Sequence, residues 1–231
     1  MRKVFVIIVV GVLASLGASA QTAFEVKQTI SILGDSYSTF RGYIPEEYAT
    51  WYSSSSLDRT DVIDVKQTWW WKTIKDGGYK LGVNDSYSGA TISYYGYNDE
   101  DYADRSFITR VTRLGNPDII LIFGATNDSW TGGRIGEYLY SDFKRSDLFT
   151  YRPALAKLLQ SAQERYPNVK LYFIINTELL DEITESTKVI CDHYGVDYIE
   201  LYDIEKLNGH PTIKGMTTIS EQVLNVLKKG Y

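Results

Sequence analysis

The scarcest reactive side chains in this sequence narrow its chemistry most. There is one cysteine, Cys191, and there are two histidines, His193 and His210. A serine nucleophile needs a base, and with two histidines the choice is nearly made by position. His210 stands in Gly209-His210-Pro211-Thr212, between the last apolar run and the last helical pattern. His193 lies near a helix end, where the helix dipole favours a histidine without any catalytic role. The best-placed serine is Ser36, in Gly34-Asp35-Ser36-Tyr37-Ser38, directly after the apolar run Thr29 to Leu33. A strand, a glycine turn and a serine can present a hydroxyl at a helix start, although Asp and Ser are also ordinary helix caps. Cys191 falls in an apolar helical pattern and reads as a buried, inert thiol. Being alone, it cannot form an internal disulfide.

Other chemistries lack their residues. Two histidines and one cysteine give no zinc-ligand spacing. No glycine-rich dinucleotide turn and no phosphate-loop lysine follows a strand. No cofactor and no metal are therefore expected. Asn98-Asp99-Glu100-Asp101 could hold calcium, but a solvated loop is the simpler reading. Asn84 and Asn127 each begin an N-x-S glycosylation pattern, a match too short to weigh much.

Seryl chemistry needs elements that bring distant residues together. Apolar, β-branched runs predict strands at Thr29 to Leu33, Tyr79 to Val83, Asp118 to Phe123, Val169 to Ile175 and Val196 to Tyr202. Helical patterns fall at Val65 to Lys75, Ser106 to Leu114, Arg152 to Tyr166, Leu179 to Tyr194 and Ile213 to Lys229. Strands alternate with helices, and a strand such as DIILIF is apolar on both faces. The expected fold is a three-layer α/β/α sandwich around a parallel sheet of about five strands. Ligands collect at the carboxyl ends of such strands. There stand Ser36, the loop Asn84 to Thr91 with Gly89, the turn Gly124-Ala125-Thr126-Asn127-Asp128, and His210.

Taken in order, GDS, SGAT, GATND and GHP resemble the blocks of the SGNH (GDSL) hydrolase family, over roughly residues 29–229. The matching positions are Ser36, Gly89, Asn127 and His210. The resemblance implies a flavodoxin-like fold and an esterase with Ser36 as nucleophile and His210 as base. The oxyanion hole would come from the backbone N–H groups of Ser36 and Gly89 and the amide of Asn127. Two positions depart from the pattern. Ala125 stands where the family usually has Gly, and Leu207 stands where it usually has the triad Asp, three residues before the histidine. The acid then comes from Asp203, ranked first, or is absent, with a carbonyl or water orienting a Ser–His dyad, or comes from Glu205.

The partner is expected to be a small-molecule or glycan ester. Trp51, Tyr94, Tyr95 and Tyr97 could offer aromatic faces to sugars, so a short-acyl carbohydrate ester is preferred. A lipase- or phospholipase-type substrate and a non-catalytic glycan-binding protein are the alternatives. Arg2 and Lys3, the apolar run Val4 to Leu16 and Ala18-Ser19-Ala20 have the layout of a secretory signal. Residues 1–20 are read as a signal peptide, residues 21–231 as a single domain, and the location as secreted or periplasmic, with no stable membrane insertion after cleavage. The net charge is −5. Clustered Lys and Arg are missing, which argues against nucleic acid as a partner. The oligomeric state is left open.

Overall fold

The computed structural model describes residues 26–229; the signal-peptide reading lies outside them. Five parallel strands form the central sheet: β1 Thr29–Gly34, β2 Lys80–Ser86, β3 Ile119–Gly124, β4 Lys170–Ile175 and β5 Asp197–Glu200. Their order is β2-β1-β3-β4-β5. Side chains of one strand alternate between the sheet faces, and here both faces are buried. Ile30, Ile32, Ile119, Leu121 and Phe123 pack into one apolar layer. Leu33, Ile120, Ile122 and Phe173 pack into the other. Helices α1 Trp69–Asp76 and α6 Ile213–Leu227 cover the first face. Helices α2 Phe107–Arg110, α4 Tyr151–Arg165 and α5 Asp181–Tyr194 cover the second. This is the expected three-layer sandwich. A short helix, α3 Thr126–Trp130, follows β3.

Several boundaries differ from expectation for local reasons. Val65–Gln67 forms a separate 3-10 turn, closed by a capping box between Asp64 and Gln67. Thr68 then caps α1, which therefore starts four residues later than expected. The helix expected over Ser106 to Leu114 is α for only four residues before tightening into a 3-10 turn. Its run of Ile108, Thr109, Val111 and Thr112 is β-branched, which disfavours α-helix. Asn84-Asp85-Ser86, expected as loop, is the end of β2 and pairs with Ile32, Leu33 and Gly34. Its polar side chains are buried but partnered: Asn84 Nδ2 donates to the Ser38 carbonyl at 3.0 Å, and Arg110 pairs with Asp85 at 3.1 Å. The segment holding His210, expected as an open loop, is a hairpin of β6 Lys206–Leu207 and β7 His210–Pro211.

The chain enters the sheet at β1, moves out to β2, and returns across β1 to β3. The carboxyl ends of β1 and β3 thus flank the point where strand order reverses, the place where such sheets bind ligands. Ser36 follows the first of these strands and Asn127 the second.

Candidate active site

The turn after β1 needs a residue without a side chain. A Cβ at Gly34 would lie 2.5 Å from Ser86 Oγ and 2.6 Å from Ser38 Cβ. Asp35 then caps the 3-10 turn Ser36–Ser38 by accepting from the Tyr37 N–H at 3.0 Å. Beneath this turn the wholly buried Arg110 donates to the Gly34 carbonyl at 3.1 Å while paired with Asp85. The serine is thereby mounted on a braced corner. Burial pushes the Asp35 carboxyl up to about 7, against the Tyr37 N–H, which favours the charged form.

Ser36 and His210 meet, with Oγ and Nε2 2.9 Å apart. The other ring nitrogen, Nδ1, lies 3.0 Å from the Asn208 carbonyl oxygen. A carbonyl can only accept, so Nδ1 carries the proton and Nε2 offers its lone pair to the Ser36 hydroxyl. His210 is buried at the end of a two-residue hairpin turn. Asn208 (φ 50°) and Gly209 (φ 75°) occupy the turn positions, and both left-handed values are what a type I′ turn requires. Tyr37 donates to the Gly209 carbonyl, Tyr52 to the Pro211 carbonyl at 3.0 Å, and Asn208 Nδ2 to the Arg59 carbonyl at 3.1 Å. Burial, opposed by the Asn208 carbonyl, lowers His210 to about 4, with Arg59 and Lys206 adding to the fall.

The acid expected at Asp203 is not at the imidazole. Asp203 is exposed in the turn after β5 with φ 53°, and no hydrogen bond joins it to His210 among the described residues. Glu205 faces elsewhere, accepting from Thr212 Oγ1 at 2.8 Å and Lys214 Nζ at 3.1 Å. The Asn208 carbonyl stands where a carboxylate would. The reason is local: a two-residue turn brings residue 208 back onto the ring before any side chain from farther upstream can reach it.

The remaining expected groups lie on the same edge. Gly89 has φ 85° in the turn Tyr87 to Ala90, and that turn is fixed to β1 by Tyr87 N–H donating to the Gly34 carbonyl at 3.1 Å. Asn127 Nδ2 donates to the Ala90 carbonyl at 2.9 Å. Its second amide hydrogen, and the N–H groups of Ser36 and Gly89, have no acceptor among the described residues. Asp128 holds the same segment from below, accepting from the N–H groups of Ile92 at 2.7 Å and Ser93 at 3.0 Å. Ala125 adopts φ 73°, a left-handed conformation that explains why glycine suits this position.

Sequence reasoning did not find two contacts of this site. Tyr97 Oη donates to Asn127 Oδ1 at 2.8 Å, and the Trp51 ring is stacked on His210 at 3.6 Å and 7°. The sequence marks both residues only as aromatic faces that could meet sugars. Trp130 adds an edge contact to His210 at 5.7 Å. Tyr94 instead packs on Phe149, and Tyr95 lies under Arg134. His193 stacks on Tyr140 at 3.7 Å, and Cys191 is buried with its thiol pushed up to about 12 by burial. Asp99 and Asp101 pair with Arg134 and Arg145, and no cluster of metal-ligating side chains occurs among the described residues. Asn84 and Asn127 are buried, so neither glycosylation pattern is accessible.

A parallel α/β sandwich carrying a Ser–His pair at its switch point is the framework of a serine hydrolase acting on esters. The chain belongs to the GDSL-like lipase/acylhydrolase family, whose model matches residues 28–227. The similarity extends to solved structures. A protein from Bacteroides ovatus assigned as a GDSL-like lipase is 55% identical, with TM-score 0.87 over 89% of this chain and 100% of that one. A second, from Bacteroides uniformis, is 46% identical, with TM-score 0.87 over 89% and 98%. An acetyl xylan esterase from Butyrivibrio proteoclasticus shares the fold at 15% identity, with TM-score 0.55 over 89% and 65%. No curated protein matches the chain in sequence.

Proposed function

We propose that this protein is an exported esterase that removes short acyl groups, acetyl foremost, from carbohydrate by way of an acyl-enzyme on Ser36. The observation that carries the reading is the 2.9 Å hydrogen bond from the Ser36 hydroxyl to His210 Nε2, in the tautomer fixed by Asn208. Nε2 takes the hydroxyl proton as Ser36 Oγ bonds to the ester carbonyl carbon. The charge that develops on the carbonyl oxygen is met by the N–H groups of Ser36 and Gly89 and by the Asn127 amide. Collapse breaks the bond to the alcohol, which leaves with the proton from Nε2. Water, deprotonated by the same nitrogen, then releases the acid and restores Ser36.

Two points support a sugar ester. Trp130, 46% exposed, meets His210 and Tyr97 meets Asn127, so both put aromatic rings beside the site. The distant structural relative from Butyrivibrio acts on acetyl xylan. Among the described residues no helix is long and apolar enough to cross a membrane. The test is hydrolysis of p-nitrophenyl acetate, p-nitrophenyl palmitate and acetylated xylo-oligosaccharides, with Ser36→Ala as blank. Acetyl esters should be cleaved best, and the Ser36→Ala protein should lose at least ~10³-fold in kcat. A preference for palmitate would favour the lipase reading. Activity surviving Ser36→Ala would overturn the assignment of the nucleophile, and inactivity on every ester would leave the glycan-binding alternative.

A further inference from the structure

A triad carboxylate has two effects on its histidine: it fixes the tautomer and it stabilises the imidazolium. The Asn208 carbonyl accounts for the first, since it accepts from Nδ1. It carries only a partial charge and raises the His210 pKa by less than burial lowers it, so the second effect is supplied only in part. Around the ring the neighbours are aromatic: Trp51 face to face at 3.6 Å, Tyr37 tilted at 5.2 Å, and Trp130 and Tyr52 edge-on at 5.7 and 6.4 Å. Of these, Trp51 alone turns its negative π face squarely onto the imidazole.

The placement of Trp51 is tied to the nucleophile. Its backbone N–H donates to Thr39 Oγ1 at 2.9 Å, and that hydroxyl donates to the Ser36 carbonyl at 3.0 Å. Arg59 donates to the Trp51 carbonyl at 2.7 Å and lies over the indole at 4.8 Å. The indole Nε1 is buried without a hydrogen-bond partner. Leaving such a donor unpaired is unfavourable, so hydrogen bonding does not explain why the ring sits here, whereas stacking does.

We propose that the face of Trp51 is the positioning and charge-stabilising group for His210, standing in for the missing carboxylate as the imidazolium forms. An aromatic face attracts a cation through its quadrupole, and the attraction strengthens where water is excluded. It is felt only by the protonated ring, which exists in the transition state and not at rest, so it lowers the barrier without tightening substrate binding. The groups opposing protonation are Arg59 beyond the indole and Lys206, itself paired with Glu178 at 3.0 Å. The inference takes His210 as the base for Ser36, and its first readout needs no esterase activity.

The experiment is site-specific replacement of Trp51 by fluorinated tryptophans, which withdraw π charge while nearly keeping the shape. With two histidines in the chain, NMR titration resolves His210 once His193→Gln has assigned the other. The His210 pKa should fall stepwise with fluorination, by about half a unit to one unit for the tetrafluoro ring. The kcat on p-nitrophenyl acetate should fall in the same order, up to about ten-fold, with KM nearly constant. A His210 pKa indifferent to fluorination overturns the proposal. So does a series in which only KM for sugar esters changes, which would make Trp51 a substrate platform. If the native protein cleaves no ester while the pKa still follows fluorination, the stack is upheld and the esterase reading is what fails.

Discussion

His210 Nδ1 and the carbonyl oxygen of Asn208 are hydrogen-bonded at 3.0 Å across a two-residue turn. The base is therefore oriented by the main chain of its own hairpin, and carboxylates elsewhere in the segment are spectators.

Asp203→Asn and Glu205→Gln should each leave kcat within about two-fold of wild type. Asp203 is exposed and Glu205 is engaged with Thr212 and Lys214. Steady-state kinetics on p-nitrophenyl acetate check this. A loss of 10²-fold or more in the Asp203 variant would mean that the carboxylate swings in during turnover.

The acid limb of kcat/KM should lie well below the ordinary histidine value. Burial favours the neutral imidazole and sets His210 at about 4, below the ordinary histidine value of 6.5. Neutral imidazole is the form that accepts the proton, so activity should persist to about pH 5 and fall as pH approaches 4. The same shift affects stability. Between 6.5 and about 4 the unfolded chain binds the proton and the folded one does not, so this group makes the fold less stable as pH falls through that window. A pH–rate profile breaking near 6.5 would contradict the depressed value.

Tyr97→Phe should lower kcat about three- to ten-fold with little change in KM, the scale of one neutral hydrogen bond. The lost donor holds Asn127 Oδ1 at 2.8 Å and so keeps Nδ2 turned toward the site. Asn127→Ala should cost ~10²–10³-fold, and the double variant no more than Asn127→Ala alone. Additive losses would show that Tyr97 acts independently of the amide.

Leu207→Asp offers a way to put charge back. Residue 207 faces His210 directly across the hairpin, and such pairs have Cβ atoms about 4.5–5.5 Å apart. A carboxylate there should raise the His210 pKa, moving the acid limb of kcat/KM upward by about one unit. An unmoved limb would show that solvent screens the new charge, Leu207 being 46% exposed.

The sheet was legible because β1, β3 and β4 are apolar on both faces, a pattern that few other environments produce. Ser36 and His210 were legible because so few residues competed for their roles. The acid was misplaced because strand-end position says where a carboxylate starts and not where the chain turns next. The signal for that turn was present: Asn208-Gly209 is the dipeptide that type I′ hairpins favour. Tyr97 and Trp51 left no comparable trace. Their partners, Asn127 and His210, are distant in sequence, and a tyrosine or tryptophan in a polar loop has the same local pattern whether it supports a site or covers a surface.

The Asn208-Gly209 turn also has a bearing on how this protein ages. An asparagine followed by glycine is the pair most open to attack by the next backbone nitrogen on the side-chain carbonyl, and Asn208 is exposed. The succinimide that results opens mainly to isoaspartate, which adds a methylene to the main chain within the turn and moves the carbonyl that His210 Nδ1 engages. The lost amide also releases the Arg59 carbonyl from its 3.1 Å hydrogen bond. Stored protein should accordingly lose activity in step with a gain of about one mass unit in the peptide carrying residue 208, while its fold is still intact.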